Sequence, residues 1–464
     1  MGRILDKSLT QTSIFSDEQL YSYDQVQIQK FQEIQLRKML KLISTQHPIY
    51  RKVLSDQNIS IKDIQTFADL DQIFPVTTKE DFVSKPLAYV LEPERDNPKD
   101  YLNWDVTYTA GTSGMPAPVF QTTFDFKGVL FAHQRMAKLR GMTKADTIFN
   151  LYPLAPYPHG GWIRPSQAAA VIGAAAVVGM SGSTTSQFPI LRRFEEVLDL
   201  VSFSNPSVLW GVPSYVLKVL RGLEMNQSKI ENLRLINVSG EPCGPKLREH
   251  LLEAAKALTA NQVVVSDSLG ATEMQFSLVE CDGGNGFHNP VPEIARLSVI
   301  DHTGKELPDG ESGRLQVTHI NRRGTVLIKY LLGDLAIMDQ SSCPNCGWAG
   351  GRIIKHLGRE GKFVKVRGQM VNSQSIQDYL DSIDYITDYK VSVSQDPLST
   401  LDELSVDLAT KTGSLAEDDR ITLQAQLNDL AGLRTQIQLV ELSQIWEPEA
   451  GMKPKRFVDL RVSN

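Results

Sequence analysis

The stretch SVLWGVPSYVLKVLRGLEMNQSKIENLRLINVSGEPCGPKLREHLLEAAKALTANQVVVS, residues 207–266, decides the fold. Ser207 to Trp210, Leu235 to Val238 and Gln262 to Ser266 are short apolar or β-branched runs of strand length. Between them, Pro213 to Leu223 and Gly244 to Leu258 carry apolar residues at helical spacing. Strands that alternate with helices need crossovers, and crossovers give a mostly parallel sheet. Upstream, Thr147 to Leu151 and Ala175 to Val178 extend the same alternation with strands, and Leu191 to Phe203 with a helix. Downstream, from about 293 to 356, Thr303-Gly304, Pro308-Asp309-Gly310 and Arg323-Gly324 punctuate short runs, predicting a twisted antiparallel or barrel-like element. Asp17 to about Leu54 predicts one or two helices that form a cap or lateral layer. A shorter unit begins with Lys362 to Arg367 and continues through a helix near Ser375 to Ile383. The expected class is α/β: a large N-terminal α/β domain with a β-barrel-like subregion over 1–359, then a small α+β domain over 360–464.

Composition narrows the function. Forty-eight Lys and Arg against fifty-four Asp and Glu leave a net charge of -6, so no overall field attracts a polyanion and nucleic acid is not an expected partner. The most apolar stretch, Ala168 to Met180, is about 13 residues against the roughly 20 that span a bilayer, so no membrane is expected. The start Met-Gly-Arg-Ile-Leu-Asp lacks an apolar signal core, and Asp6 stands where a myristoylation signal wants Ser or Thr, predicting a cytoplasmic protein.

Two local patterns carry chemistry. Tyr108-Thr109-Ala110-Gly111-Thr112-Ser113-Gly114-Met115-Pro116 interleaves hydroxyls with glycine, so that backbone N–H groups and hydroxyls can cradle a polyphosphate; a plain surface loop is the alternative. Cys343-Pro-Asn-Cys346-Gly is a C-x₂-C knuckle, and Cys281 with His288 adds a thiol and an imidazole. That Cys₃His set suits tetrahedral zinc, with an incidental or redox C-x₂-C as the alternative. Cys243 has no neighbouring histidine to activate it and reads as a buried thiol.

Further motifs follow in order: Ser239-Gly240-Glu241-Pro242, Leu269-Gly270-Ala271-Thr272-Glu273-Met274, Leu332-Gly333-Asp334-Leu335, Gly358-Arg359 and Gly451-Met452-Lys453-Pro454-Lys455-Arg456. With these the chain resembles the adenylate-forming superfamily of acyl-CoA synthetases, luciferases and peptide-synthetase adenylation domains, within it the phenylacetate-CoA ligase and coenzyme F390 synthetase branch. His47-Pro48-Ile49-Tyr50-Arg51, Pro75 to Asp81 and Gly211 to Tyr215 extend the likeness nearly end to end.

The resemblance implies ATP-dependent, AMP-forming activation of a carboxylic acid, aryl or arylacetic, then transfer to the thiol of coenzyme A. Delivery to a carrier-protein thiol or an amine is the alternative, and a non-catalytic nucleotide- or zinc-binding interaction protein a remote one. It implies that Thr109, Gly111, Thr112, Ser113 and Gly114 hold the phosphates and that Glu273, after Thr272, binds Mg²⁺. Gly240, Glu241 and Pro242 would border the adenine, with Asp267 and Ser268 nearby. Asp334 and Arg359 would hold the ribose. For Glu273 a solvated helix start, and for Asp334 a turn after Gly333, are the alternatives. Lys453 would be the catalytic lysine, with Lys455 as rival and a solvated basic tail as alternative. Tyr157, His159, Gly160, Trp210, Gly211 and Ser239 would line the acid pocket, unless His159 is an ordinary interior histidine. The small domain would be mobile, rotating near residue 360. An acyl carrier protein and a homodimer stay open as partners. Three departures from the family pattern stand out: Met115 for a lysine, Leu269 for an adenine-stacking tyrosine and Gly361 for a hinge aspartate.

Overall fold

A computed structural model of the chain describes residues 22–92, 103–109, 116–154, 158–181, 192–282, 284–360, 363–367, 369–395, 401–445 and 456–461. The N-terminal layer is two helices, Gln25–Gln46 and Pro48–Asp56. Asp24 opens the first in a reciprocal box with Gln27, and His47 ends it. His47 also caps the second helix, its Nδ1 accepting the Tyr50 N–H at 3.1 Å, with Pro48 at the first position where no N–H is needed.

The strands that follow are β1 (Asn103–Tyr108), β2 (Pro118–Thr122), β3 (Thr147–Asn150), β4 (Ala175–Val178), β5 (Val208–Gly211), β6 (Leu235–Ser239), β7 (Val264–Gly270), β8 (Ser277–Glu280), β9 (Phe287–His288), β10 (Ala295–Ile300), β11 (Ser312–His319), β12 (Tyr330–Asp339) and β13 (Arg352–Arg359). β1 and β2 form an antiparallel hairpin. Among the described residues the others make one eleven-stranded sheet in the order β10-β11-β12-β13-β9-β8-β7-β6-β5-β3-β4. Strands β3 to β7 pair parallel, as the alternation of residues 207–266 requires. The barrel-like subregion expected at 293–356 is the antiparallel arm β10 to β13, joined to the parallel strands through β9 and β8.

The parallel strands are covered on both faces, which explains why β5 reads as a continuous apolar run and β6 as one broken only by Asn237 before its polar end. Alternate residues serve opposite cores. Phe149, Leu209 and Ile236 pack with the helices Phe194–Ser204, Pro213–Met225 and Pro245–Lys256 through Leu198, Val219, Leu220 and Leu251. Ile148, Trp210 and Leu235 face the other way, toward Ala137 of the helix Thr123–Leu139 and Ala168 of the helix Gly160–Ile172.

The C-terminal domain has its own core. It holds a hairpin of β14 (Phe363–Val366) and β15 (Gln369–Asn372) and a four-stranded sheet of β16 (Ile386–Gln395), β17 (Asp402–Thr410), β18 (Thr435–Leu439) and β19 (Phe457–Asp459). Val391, Val406, Leu423 and Leu427 fill it. It touches the larger domain where Lys246 Nζ meets Asp384 Oδ1 at 2.7 Å.

Candidate active site

In an open parallel sheet the carboxyl ends of the strands form the binding crevice. Here those ends present Gly211 of β5, Ser239 of β6 and Gly270 of β7, and the segment leaving β7 carries Thr272 and Glu273. Glu273 is buried, and no helix starts there, so the solvated helix-start alternative does not hold. Its Oε1 accepts the Tyr330 hydroxyl at 2.9 Å. Burial and that neighbouring carboxylate push the Tyr330 phenol far above its ordinary range, so it stays a donor. No described side chain takes Glu273 Oε2, which leaves one hard oxygen for a cation and fits a magnesium ligand.

The hairpin neck lies alongside. The Thr272 hydroxyl reaches the Tyr108 carbonyl at 3.4 Å, and Thr109 closes the neck as its Oγ1 accepts the Ala117 N–H at 2.9 Å. Gly111, Thr112, Ser113 and Gly114 lie outside the described residues. Gln275, in the left-handed region at φ 67°, gives its Nε2–H to Thr107 Oγ1 at 2.8 Å and takes the Arg164 guanidinium on Oε1 at 2.8 Å. It fixes the hairpin to the sheet.

Asp334 and Arg359 are register partners on β12 and β13, so the turn alternative for Asp334 is corrected to a buried strand position. Asp334 Oδ1 is 2.9 Å from His356 Nε2 and 3.3 Å from Arg359 Nε. Arg359 Nη1 also donates to the Leu332 carbonyl at 2.8 Å. Gly333, at φ 78°, lets the strand bend at the aspartate in a conformation that an L side chain would strain.

Other expected positions have structural partners. Glu241 Oε1 accepts the Ser214 N–H at 2.7 Å at the start of the helix Pro213–Met225. Gly240 has φ 97°, and Pro242 follows that turn. Asp267 Oδ1 accepts the Ser268 N–H at 2.7 Å; burial, with Glu280 close by, pushes Asp267 up to about 8. His159 caps the helix that begins at Gly160, and its Nε2 bonds the Pro153 carbonyl at 2.9 Å, the interior role weighed for it. Gly211 is required by packing, since an added Cβ would meet Leu151 Cβ at 2.9 Å. The Ser239 hydroxyl bonds the Tyr152 hydroxyl on the face that carries Trp210.

Tyr157, Lys453 and Lys455 lie outside the described residues. Arg456 does not belong to a solvated tail: it pairs with Asp381 at 3.1 Å and Asp388 at 3.2 Å over the Tyr389 ring. Arg456 is thereby tied to the small domain's core. Tyr330, His356 and Gln275 were not found by sequence reasoning. They lie outside the quoted motifs or act through partners distant in the chain.

The cysteine set converges. The ligating atoms of Cys281, His288, Cys343 and Cys346 all lie within 4.8 Å of one another. His288 Nδ1 is 3.1 Å from the carbonyls of Val279 and Gly286, which makes it the protonated nitrogen and turns the Nε2 lone pair toward Cys346 Sγ at 3.5 Å. Tetrahedral zinc, with Zn–S of about 2.3 Å and Zn–N of about 2.0–2.1 Å, separates S and N by ~3.5 Å. Burial opposes a thiolate at Cys343, but the N–H groups of Cys346 and Asn345 outweigh it and hold that thiol below its ordinary value. The set fits zinc.

With this geometry in view, comparison with known proteins is direct. The family model described as AMP-binding enzyme matches residues 23–321. The chain belongs to the AMP-binding enzyme family. Among its relatives, the phenylacetate-coenzyme A ligase of Thermus thermophilus is 23% identical over 457 residues, covering 94% of this chain and 97% of that one. The Pseudomonas putida enzyme of the same name is 22% identical over 413 residues, 87% of this chain and 88% of its own. A 2-hydroxyisobutyryl-CoA ligase in its postadenylation state superimposes with a TM-score of 0.77 at 20% identity, covering 92% of this chain and 88% of that one. Membership and α/β architecture therefore agree with the expectation from sequence. Among the described residues no helix is long and apolar enough to cross a membrane.

Proposed function

We propose that this AMP-binding enzyme activates a carboxylic acid with ATP, as an acyl-adenylate, and transfers the acyl group to coenzyme A. The observation that carries the reading is the half-free buried carboxylate of Glu273, just past the carboxyl end of β7, fixed by Tyr330 of β12, the strand that also carries Asp334 of the Asp334–Arg359–His356 cluster. The relatives named as phenylacetate-coenzyme A ligases, similar over nearly their whole length, support it.

In the first half, a carboxylate oxygen forms a bond to the α-phosphorus as the bond to the pyrophosphate oxygen breaks. Mg²⁺, when bound, neutralises phosphate charge, and Glu273 holds it with Tyr330 fixing the carboxylate. Gly111, Thr112, Ser113 and Gly114 would offer N–H groups and hydroxyls to the phosphates, while Asp334 accepts from ribose hydroxyls and Arg359 steadies Asp334. Lys453 brings an ammonium to the charge developing between acid and α-phosphate. In the second half the thiol sulfur bonds the acyl carbon, the carbon–oxygen bond to AMP breaks, and the thiol proton passes to solvent. The boundary near residue 360 is the hinge between the two arrangements.

Cys281, His288, Cys343 and Cys346 would hold zinc, which would act as a structural ion joining β9 and the β8–β9 connection to the segment between β12 and β13. Trp210 and Ser239 border the acid. A pyrophosphate-exchange screen over aryl, arylacetic and fatty acids tests the reading: exchange that depends on an acid is expected, and ATP binding without exchange with any acid overturns it. Coenzyme A, a carrier protein and an amine supplied to preformed adenylate identify the acceptor.

A further inference from the structure

The small domain meets the larger one at the turn that follows its first helix, Ser373–Asp381. That helix ends in Ser382-Ile383-Asp384, and two groups from the helix Pro245–Lys256 of the larger domain reach the Asp384 carboxylate. Lys246 Nζ lies 2.7 Å from Asp384 Oδ1, and His250 Nε2 lies 3.4 Å from the same oxygen. Lys246 and His250 are one helical turn apart, so both face the one carboxylate. The Asp384 side chain is 69% exposed, against 27% for Lys246 and 17% for His250. A pair so wet adds little to the folding free energy, and it can part without stranding a buried charge. That suits a contact that forms and breaks in every cycle.

Two further observations say which arrangement of the domains this contact belongs to. Just before Asp384 in the chain, Asp381 pairs with Arg456 at 3.1 Å. Burial works against the Arg456 charge, and Asp388, Tyr389, Asp381 and, from across the domain boundary, Glu241 sustain it. Glu241 leaves the carboxyl end of β6 and is held there by the Ser214 N–H. The face of the small domain that carries Arg456 is therefore turned toward the strand ends. The second observation is independent of any side chain. The 2-hydroxyisobutyryl-CoA ligase superimposes with a TM-score of 0.77 in its postadenylation state and 0.63 in its thioesterification state, at 20% identity in both. One polypeptide gives both values, so they differ through the placement of its parts, and the present chain has the placement of the former.

We propose that Asp384, with Lys246 and His250 as its partners, is a positioning residue for the adenylation half-reaction: its contact holds the small domain in the arrangement described and must part before the acyl group passes to coenzyme A. The inference rests on the adenylation reading and assigns a contact which that reading leaves open. Asp384 touches neither nucleotide nor acid. It acts by keeping the face that carries Arg456 against the strand ends, and a thiol that enters with the domain turned would find the contact broken.

Zero-length cross-linking of the native protein with a water-soluble carbodiimide reads the contact directly. The reagent activates the Asp384 carboxyl, Lys246 Nζ bonds the carboxyl carbon, and the carbon–oxygen bond to the reagent breaks with release of its urea. Lys246 also lies 3.1 Å from Glu249 of its own helix, which gives an internal reference that domain movement leaves in place. Peptide mass spectrometry should find the Lys246–Asp384 link, and its ratio to Lys246–Glu249 should fall several-fold when acyl-adenylate and a coenzyme A analogue lacking the thiol are bound. In rapid-quench assays, Asp384→Lys should slow acyl-adenylate formation by about 3- to 10-fold, the scale of one or two exposed ion pairs, without slowing thioester formation from synthetic acyl-adenylate. Adding Lys246→Asp to that variant should restore the first rate. An unchanged cross-link ratio, equal slowing of both halves, or no recovery in the exchanged pair overturns the inference and leaves adenylation standing. Native protein that forms no adenylate with any acid removes the adenylation reading, and the inference falls with it.

Discussion

Tyr330→Phe removes one hydroxyl and almost nothing else. The ring is fully buried and meets Phe82 edge-on at 6.0 Å, a contact that phenylalanine keeps. What is lost is the 2.9 Å bond to Glu273 Oε1. A hydrogen bond to a charged group contributes about 1.5–3 kcal/mol, and burial keeps water from replacing the donor. In a chain of 464 residues, at about 2.1 cal/mol/K of unfolding entropy per residue, that corresponds to a Tm lower by ~1.5–3 °C. The larger consequence is for the cation. With its carboxylate no longer oriented, the Mg²⁺ concentration for half-maximal pyrophosphate exchange should rise by about 10- to 100-fold, the usual effect of removing a partner that orients a metal ligand. Thermal unfolding and magnesium titration of the purified variant read the two effects separately. A lowered Tm with unchanged magnesium dependence would show the hydroxyl to be merely structural and would refute the role given to Glu273.

Further outcomes follow from the same geometry. Lys453→Ala should slow adenylate formation by about 10²- to 10³-fold while AMP release from synthetic acyl-adenylate with coenzyme A stays near the native rate, and Lys455→Ala should affect neither half in rapid-quench assays. Metal analysis should find about one zinc per chain, with Cys343→Ser lowering Tm more than it lowers exchange. Burial holds His47 down to about 4, and its Nδ1 lone pair already accepts the Tyr50 N–H. The unfolded chain takes up this proton first, near 6.5, so the stabilisation is complete above that value and is lost as pH falls through about 4. That loss is on the order of 3 kcal/mol for this residue. Denaturant unfolding between pH 7 and 4 should show the decline, and His47→Asn should flatten it.

The parallel strands were legible because each is a short apolar run between helical patterns. Leu235 to Val238 was expected and β6 is Leu235–Ser239. Where the reading fell short, the strand ends turn polar: Gln262 to Ser266 was expected, but β7 runs Val264–Gly270 through Asp267 and Ser268. Composition gives no warning that a serine–aspartate–serine run continues a strand whose ladder is already fixed by its neighbour. The cysteine cluster was readable from ligand chemistry alone, because C-x₂-C with a further thiol and imidazole is itself a coordination set. The partners of Glu273 and Asp334 were not readable. Tyr330 lies 57 residues from Glu273 and His356 lies 22 from Asp334, and only the pairing of β12 with β13 and their packing bring them in.

The central claim is that one carboxylic acid passes through an adenylate to a thioester. Mass spectrometry of quenched reactions tests it most directly, with protein, MgATP and a mixture of aryl and arylacetic acids, sampled before and after coenzyme A is added. Acyl-AMP and pyrophosphate are predicted before the addition, and acyl-CoA with stoichiometric AMP after it. Formation of ADP and phosphate, or no acid-dependent change in the nucleotide, would contradict the account.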